Sequence, residues 1–368
     1  MQIAECKANY SLIVGMSEKL RKISKETGIE FLLLNRGVNS VCSIKLSDVV
    51  QQINFDSEAI QVYPPATGRT DLLNAINAEF FDGTTLTKNL FITPGGISGL
   101  DLSIQNIEVG KFYLPKYYWG AYANILKLRN KPYDFYDNFD WLSENSGKLN
   151  KSAVFICDPN NPLGDKANDE SLYQTIEKLN NSNTIVIFDS PYRRVFKNQS
   201  DKLYQKLAML DNVIITESFS KSIGLSGQRI GFVHCRNQEF QNSFKTRLLY
   251  ATNGTNTFAQ ILVEKLLLTP EGKKAVSEFK NTTVEHLKRN IQYLADNGLL
   301  LNELYTEELP VGIFVVVNKS QDELLSHNIG SISLHYFTQK NQEDARKNAR
   351  ISVSVHHDKF VSYFKNAI

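Results

Sequence analysis

Hydrophobic and polar positions alternate with two different spacings along this chain. From about residue 70 to residue 240, short β-branched or aromatic runs are separated by stretches with the spacing of amphipathic helices. The runs predict strands at residues 90–93, 111–114, 153–157, 185–188, 213–216 and 230–235, with helices at 97–107, 119–128 and 170–179 between them. This alternation is typical of an α/β domain with a mostly parallel, doubly wound sheet covered by helices on both faces.

The carboxyl-terminal third has a different pattern. Val284, Leu287, Ile291 and Leu294 fall on one stripe of a long helix, and Asn297-Gly298 is a pair that ends helices. Strand-like runs follow at residues 311–318, 331–337 and 350–355. We therefore expect a smaller α+β domain made of residues 1–44 and 266–368, including an early helix over 16–23, beside a large domain over 45–265.

Composition changes this picture little. The 368 residues are 42% hydrophobic and 22% charged, and 41 basic against 39 acidic side chains leave a formal charge of +2. This near balance gives no electrostatic argument for binding nucleic acid or an anionic membrane. We find no apolar run long enough to span a bilayer and no secretory signal, so a cytoplasmic protein is expected.

Cysteine and histidine spacing argues against disulfides and against metal. Cys6, Cys42, Cys157 and Cys235 are scattered without a Cys-x-x-Cys pair. The six histidines show no ligand spacing, and the adjacent pair 356–357 on a strand would point to opposite faces. The sequence therefore predicts no metal site.

Polar segments follow several of the predicted strands, where a doubly wound sheet binds its ligands. These segments are Pro-Gly-Gly-Ile-Ser at 94–98, Asp-Pro-Asn-Asn-Pro-Leu-Gly at 158–164, Asp-Ser-Pro-Tyr at 189–192 and Ser-Phe-Ser-Lys-Ser-Ile-Gly-Leu-Ser-Gly-Gln-Arg-Ile-Gly at 218–231. In this order they resemble the fold-type-I pyridoxal 5′-phosphate (PLP) enzymes, specifically the class I and II aminotransferases. The resemblance covers most of the chain, with its strongest motifs between residues 63 and 231.

The resemblance implies roles for the residues around the cofactor ring. Lys221 would hold the cofactor as an imine and shuttle a proton at the substrate α-carbon, work that suits a buried amine of depressed pKa. Asp189 would keep the pyridine nitrogen protonated, so that the ring accepts electrons. Asn161 and Tyr192 would hydrogen-bond the phenolic oxygen. Taken alone, a lysine between two serines is usually solvated, and only its companions favour catalysis.

Phosphate recognition is predicted at two elements. Gly95, Gly96 and Ile97 open a helix whose backbone N–H groups and dipole favour an anion. By resemblance, Ser218 and Arg229 add a hydroxyl and a guanidinium. The resemblance also implies that Tyr63 reaches the phosphate from a neighbouring subunit, which would make the enzyme a homodimer with shared active sites.

The remaining assignments concern the ring face and the substrate. Tyr117 matches the Pro-x-aromatic pattern for stacking on the cofactor, with the adjacent Tyr118 and Trp119 as alternatives. Arg350 resembles the arginine that grips the substrate α-carboxylate, a task suited to a bidentate fork. Gly37 and Asn161 are expected to line the substrate pocket.

The reaction is left open at this point. A ping-pong transfer of an amino group from an amino acid to a 2-oxo acid is the first hypothesis, and decarboxylation or carbon–sulfur elimination on the same cofactor is the alternative, because the motifs are shared. A non-catalytic PLP-binding regulator is a third. The chain length is similar to that of histidinol-phosphate aminotransferases, but their Asp-Glu-Ala-Tyr string is replaced here by Asp-Ser-Pro-Tyr, followed by Arg193 and Arg194, for which we expect a solvated loop.

Overall fold

The computed structural model describes residues 1–3, 5–196, 201–306, 309–340 and 342–367. Its strands are β1 (Leu32–Leu33), β2 (Leu90–Thr93), β3 (Lys111–Pro115), β4 (Tyr133–Tyr136), β5 (Ser152–Cys157), β6 (Ile185–Asp189), β7 (Val213–Ser218), β8 (Gly231–Cys235), β9 (Phe314–Val317), β10 (Ile329–Gly330), β11 (Ile332–Ser333) and β12 (Ala349–Ser352). Its α-helices are α1 (Leu12–Thr27), α2 (Ser47–Val50), α3 (Glu58–Gln61), α4 (Thr70–Phe81), α5 (Gly96–Asn106), α6 (Gly120–Leu128), α7 (Phe139–Asn145), α8 (Asp169–Asn181), α9 (Lys202–Leu207), α10 (Phe219–Ser222), α11 (Gln238–Thr252), α12 (Thr257–Leu268), α13 (Pro270–Asp296), α14 (Gln321–Ser326), α15 (Gln342–Ala345) and α16 (His357–Phe364).

A seven-stranded sheet forms the large layer, in the order β2-β8-β7-β6-β5-β3-β4. Only β8 runs antiparallel to its neighbours β2 and β7. Residues of α4, α8, α9 and α12 pack on one face of the sheet, and residues of α5, α6 and α11 pack on the other. Each of the central strands β5 and β7 is buried along its whole length, as expected for a sheet covered on both sides. The predicted doubly wound α/β fold is confirmed.

One strand of this sheet was not predicted from the sequence. The edge strand β4 has the sequence Tyr-Asp-Phe-Tyr and is buried only at Tyr136. An edge strand needs only part of one face apolar, so its pattern is weak. The six predicted strands and three predicted helices of this region all form, with no end shifted by more than two residues.

The second layer contains the antiparallel sheet β11-β12-β9 and the parallel pair β1-β10. Leu287, Ile291 and Leu294 of α13 are buried in its core, whereas Val284 is only half-buried. The predicted strand over 331–337 is wrong beyond Ser333, because Leu334–Phe337 forms a 3₁₀ turn. Leu334 and Phe337 are both buried, and residues three apart share one side of such a turn.

The amino-terminal helix α1 packs on this second layer. Ser11 caps its start by accepting a hydrogen bond from the Val14 N–H, and Gly28 ends it at a φ of 75°. The Asn35 amide donates to the Ile13 carbonyl, which ties α1 to the segment after β1. Helix α13 contacts both α12 and α16, and the domain boundaries at 44/45 and 265/266 stay a prediction. Within the described ranges, we find no helix that is both long and apolar enough to cross a bilayer.

Candidate active site

A cavity of about 430 Å³ lies at the carboxyl-terminal edge of the large sheet, between the two layers. Parallel pairing puts Cys157, Asp189 and Thr216 side by side at the ends of β5, β6 and β7, so the segments that follow these strands emerge together. The sequence-predicted site residues that line this cavity are Gly37, Gly96, Ile97, Asn161, Asp189, Tyr192, Ser218, Lys221, Arg229 and Arg350. Its size is in the range usual for small-ligand sites.

Lys221 lies on the one-turn helix α10, directly after β7. Its Nζ donates a hydrogen bond to the Gly37 carbonyl, so the amine spans the gap between the two layers. Burial, together with the positive charges of Arg36, Arg229 and Arg350, lowers the pKa of Lys221 to about 8. About a tenth of the amine is therefore neutral at pH 7, and this neutral form is the one that a nucleophile or proton acceptor requires.

Asp189 ends β6 and is buried at the floor of the cavity. Burial raises its pKa to about 7, while a hydrogen bond donated by the Tyr122 hydroxyl acts in the opposite direction. Tyr122 lies on α6 and lines the same cavity, but sequence reasoning missed it. Its only sequence signal is its position three residues after Trp119, which puts both side chains on one side of the helix start.

Asn161 connects two other site residues. Its Nδ2 donates to the Tyr192 hydroxyl at 3.1 Å, and its Oδ1 accepts from Arg350 Nη1 at 3.1 Å. The Tyr192 ring packs edge-on against Phe314 with a centroid separation of 5.7 Å. The nitrogen and the oxygen of the amide therefore both form hydrogen bonds, which fixes the orientation of Asn161 in the cavity wall.

Arg350 is a buried cation with neutral partners. It lies on β12, donates to the Asn35 carbonyl as well as to Asn161, and stacks between the rings of Phe314 and Phe337 at 4.0 and 4.7 Å. Its Nε has no hydrogen-bond partner among the described residues. Burial lowers the pKa of Arg350 to about 9. A buried guanidinium of this kind is stabilised by any carboxylate that enters the cavity.

The amino-terminal end of α5 forms a cationic pocket with Arg229. Gly95 caps this helix with a φ of 82°, and a Cβ added there would lie 2.5 Å from Arg229 Nη2. Arg229 also donates to the Ser226 carbonyl at 2.9 Å, and the Ser218 hydroxyl lines the cavity nearby. Unpaired helix N–H groups beside a guanidinium make a suitable site for an anion.

The prediction for the stacking aromatic needs correction. Tyr117 does not line the cavity, since its half-buried ring packs against the buried cluster that contains Val316, Leu334 and Phe337. Tyr118 is buried on the other side, 5.4 Å from the ring of Phe135. Trp119 lines the cavity because the chain turns there into α6, for which Trp119 is the N-cap residue.

Two further predictions depend on the chain's surroundings. Tyr63 is 80% exposed and lies outside the cavity of its own chain, so its predicted contact with a neighbouring subunit stays a prediction. Gly37 lines the cavity, and a Cβ added there would lie 2.4 Å from the Phe314 ring. Any larger residue would force the Phe314 ring to shift, so glycine favours this close approach of the two segments.

The expectation of a solvated Arg193-Arg194 pair is wrong. Both side chains are buried, and Arg193 pairs with Asp158, Asp201 and Asp169 beneath the cavity floor. Arg194 pairs with Glu79 and stacks on Phe80. Neither arginine lines the cavity, so neither meets a substrate there.

Other parts of the described chain offer no competing centre. A larger groove of about 880 Å³ is open to solvent and contains none of the predicted site residues. In the ranges that the structure describes, no group of three or more His, Cys, Asp or Glu side chains could hold a metal ion. All four cysteines are free.

Comparison with known proteins agrees with the geometry of this site. The family model for aminotransferase class I and II matches residues 30–368. Histidinol-phosphate aminotransferase of Aliarcobacter butzleri is 26% identical over 51% of this chain and 50% of its own length, and aspartate aminotransferase of Pyrococcus horikoshii is 28% identical over 69% and 67%. The first matching relatives are thus covered over about half their length or less. The structure of Thermus thermophilus aspartate aminotransferase with maleate superposes over 100% of both chains with a TM-score of 0.81 at 16% identity.

Proposed function

Because the chain belongs to the class I and II aminotransferase family, we propose that it is a PLP-dependent enzyme that moves an amino group from an amino acid to a 2-oxo acid. The observation that carries this proposal is the convergence of Lys221, Asp189 and Arg350 in one cavity. The site combines a lysine of lowered pKa, a buried carboxylate and a buried guanidinium that has no anionic partner. This combination is suited to amino-acid chemistry. They come from three separate segments, so their meeting is a property of the fold.

The residues of the cavity fit PLP. Lys221 would hold the cofactor covalently, and Asp189 would pair with its ring nitrogen. Asn161 and Tyr192 offer donors for its phenolic oxygen, and Trp119 offers an aromatic face. For the phosphate, the start of α5 with Gly95, Gly96 and Ile97 would supply N–H groups, with Ser218 and Arg229 beside it. The close approach of Arg229 to Gly95, which leaves no room for a Cβ, supports this fit.

Each catalytic task then belongs to a named side chain. PLP supplies, when bound, an aldehyde that accepts the amino group and a ring that takes up electron density from the substrate α-carbon. Lys221 would accept the proton from the substrate α-carbon and then donate it to the cofactor carbon. Arg350 would bind the α-carboxylate and, being held by Asn161 and Asn35, would orient the substrate.

Partners and location follow as proposals. The substrates would be small amino and 2-oxo acids, with no nucleic acid and no membrane involved. Exposed Tyr63 and Ile97, 80% and 42% accessible, support a homodimer in which Tyr63 completes the phosphate site of the neighbouring subunit. All four cysteines are free, which supports a cytoplasmic location, where thiols stay reduced.

Amino transfer is tested by product analysis on the holoenzyme. With an amino donor and 2-oxoglutarate, we expect a new 2-oxo acid and a new amino acid in equal amounts, with parallel lines in double-reciprocal plots. Chromatography of both products over a panel of donors measures this. Carbon dioxide, ammonia or sulfide formed without a 2-oxo acid acceptor would instead assign decarboxylation or elimination. No turnover with any donor would overturn the enzyme proposal.

Substitution of Arg350 should separate binding from stability. Arg350→Met removes a buried charge without an anionic partner, so we expect the melting temperature to stay unchanged or rise. The KM for the amino donor should rise by about 100-fold, because the carboxylate loses its partner in a desolvated site. Thermal melts and steady-state kinetics check both effects. An unchanged KM would rule out the assigned role, and Arg21→Gln on the exposed face of α1 is the control.

A further inference from the structure

The charges that face the cavity do not balance. Arg36, Lys221, Arg229 and Arg350 line it, and Asp189 is the only lining carboxylate in the described part of the chain. Under the proposed function, three of these cations already have partners. Lys221 takes the cofactor, Arg229 its phosphate and Arg350 the substrate α-carboxylate, so Arg36 is left over.

Arg36 lines the cavity beside Gly37. It precedes Gly37, the residue whose carbonyl accepts the hydrogen bond from Lys221. Its charge is the first of the three that lower the pKa of Lys221, and both side chains line the same cavity. Arg36 is also exposed at the cavity mouth, where a substrate can reach it from solvent.

The neighbours of Arg36 leave it available. Arg36 shares the surroundings of the Tyr10 hydroxyl with Glu18, and Glu18 accepts a hydrogen bond from that hydroxyl at 2.8 Å. Within the described ranges, the Arg36 side chain forms no hydrogen bond or ion pair with the protein. Its guanidinium fork is thus free to bind an anion.

Part of the cavity wall is apolar. Ile13 and Val14 of α1 and Val38 line it, and Ser11 adds a hydroxyl. A short aliphatic spacer suits this wall, and a charged group at the far end of the spacer would meet Arg36. A neutral aliphatic side chain would instead leave the guanidinium without a partner.

We propose that Arg36 determines specificity by binding a second anionic group, so that the amino donors are amino acids with a side-chain carboxylate or phosphate ester. This inference rests on the proposed amino transfer. Two arginines would then hold the two ends of the substrate, Arg350 the α-carboxylate and Arg36 the distal anion. Guanidinium pairs with carboxylate and with phosphate in the same bidentate geometry, so both sources share one chemistry.

Matched donor pairs test the proposal on the holoenzyme. The pairs are glutamate with glutamine, aspartate with asparagine and O-phosphoserine with serine, each member differing from its partner mainly in the distal charge. We expect the wild-type enzyme to prefer the anionic member of at least one pair in kcat/KM. Arg36→Gln should lower that anionic-to-neutral ratio by about 30-fold, as expected for loss of a charge-assisted pair, whereas the control Arg21→Gln should keep it.

A binding readout accompanies the kinetics. Titration calorimetry compares succinate, which has a second carboxylate, with butyrate, which has none. The wild type should bind succinate more tightly than butyrate, and Arg36→Gln should reduce this difference by weakening only the binding of succinate. Preference within the carboxylate pairs or within the phosphoserine pair identifies the source of the anion. Turnover of neutral donors with no anionic preference, or an unchanged ratio in Arg36→Gln, overturns this inference while amino transfer stands. No turnover with any donor overturns both.

Discussion

Replacing Lys221 with alanine is expected to lower kcat for amino transfer by roughly 10⁴-fold or more, because the variant loses its proton-transfer group at the α-carbon. The same variant should bind PLP only reversibly, since the cavity has lost the amine that would hold it. Lys221 is a partly buried amine of lowered pKa, so its removal should not destabilise the fold. Single-turnover kinetics, cofactor retention on dialysis and thermal melts measure the three effects.

The control for this variant is Lys245→Ala. Lys245 is an exposed lysine of α11 that does not line the cavity, and its loss should leave kcat and cofactor retention unchanged. If Lys221→Ala retained a tenth of wild-type activity, the assigned role would be wrong. Retention of the cofactor at wild-type strength would likewise argue for another attachment point.

Asp189→Asn is expected to lower kcat by about 10³-fold, the scale seen when one preorganised charge is removed from an active site. Asparagine keeps an oxygen that can accept the Tyr122 hydrogen bond but loses the negative charge that would pair with the ring nitrogen. Tyr122→Phe should have a smaller effect, because it alters the orientation and pKa of the carboxylate without removing it. Steady-state kinetics of both variants, beside the exposed control Asp56→Asn, test this order.

Stability of the cofactor-free protein gives Asp189 a second readout with a definite sign. Burial raises its pKa from 3.8 to about 7, so between these values the folded protein binds more protons than the unfolded chain. The wild-type protein should therefore lose stability as pH rises from about 4 to 7, and Asp189→Asn should escape that loss. In urea unfolding, the free energy of unfolding of the variant should rise relative to that of the wild type over this interval. The difference should then stay constant above pH 7. A difference independent of pH would contradict the cause given for the shift.

The strand pattern explains why so much was accessible from sequence. A buried parallel strand needs a continuous apolar run, and the polar residue after it marks the ligand-binding edge, so Asp189 and Lys221 could be assigned to one edge without coordinates. Their spacing in the chain is fixed by local motifs. The doubly wound fold and the family follow from the same signals.

Choices between neighbouring residues needed the structure. Tyr117, Tyr118 and Trp119 are adjacent aromatics, and which one faces the cavity depends on where β3 ends and α6 begins. Tyr122 meets Asp189 across 67 residues of sequence, and no local pattern encodes that contact. A shift of one residue in such a boundary is enough to redirect a side chain. The position of the boundary is set by packing on distant strands.

By itself, the sequence determined six of the seven strands of the large sheet, the lysine and the carboxylate of the cavity floor, because each depends on periodicity and on residues close in the chain. Only the tertiary structure decided how Arg350, Asn161 and Asn35 form one hydrogen-bonded unit and why Arg36 faces the same cavity without a protein partner. The physical reason is that these contacts join segments more than a hundred residues apart. They exist only once both layers have packed and excluded water between them.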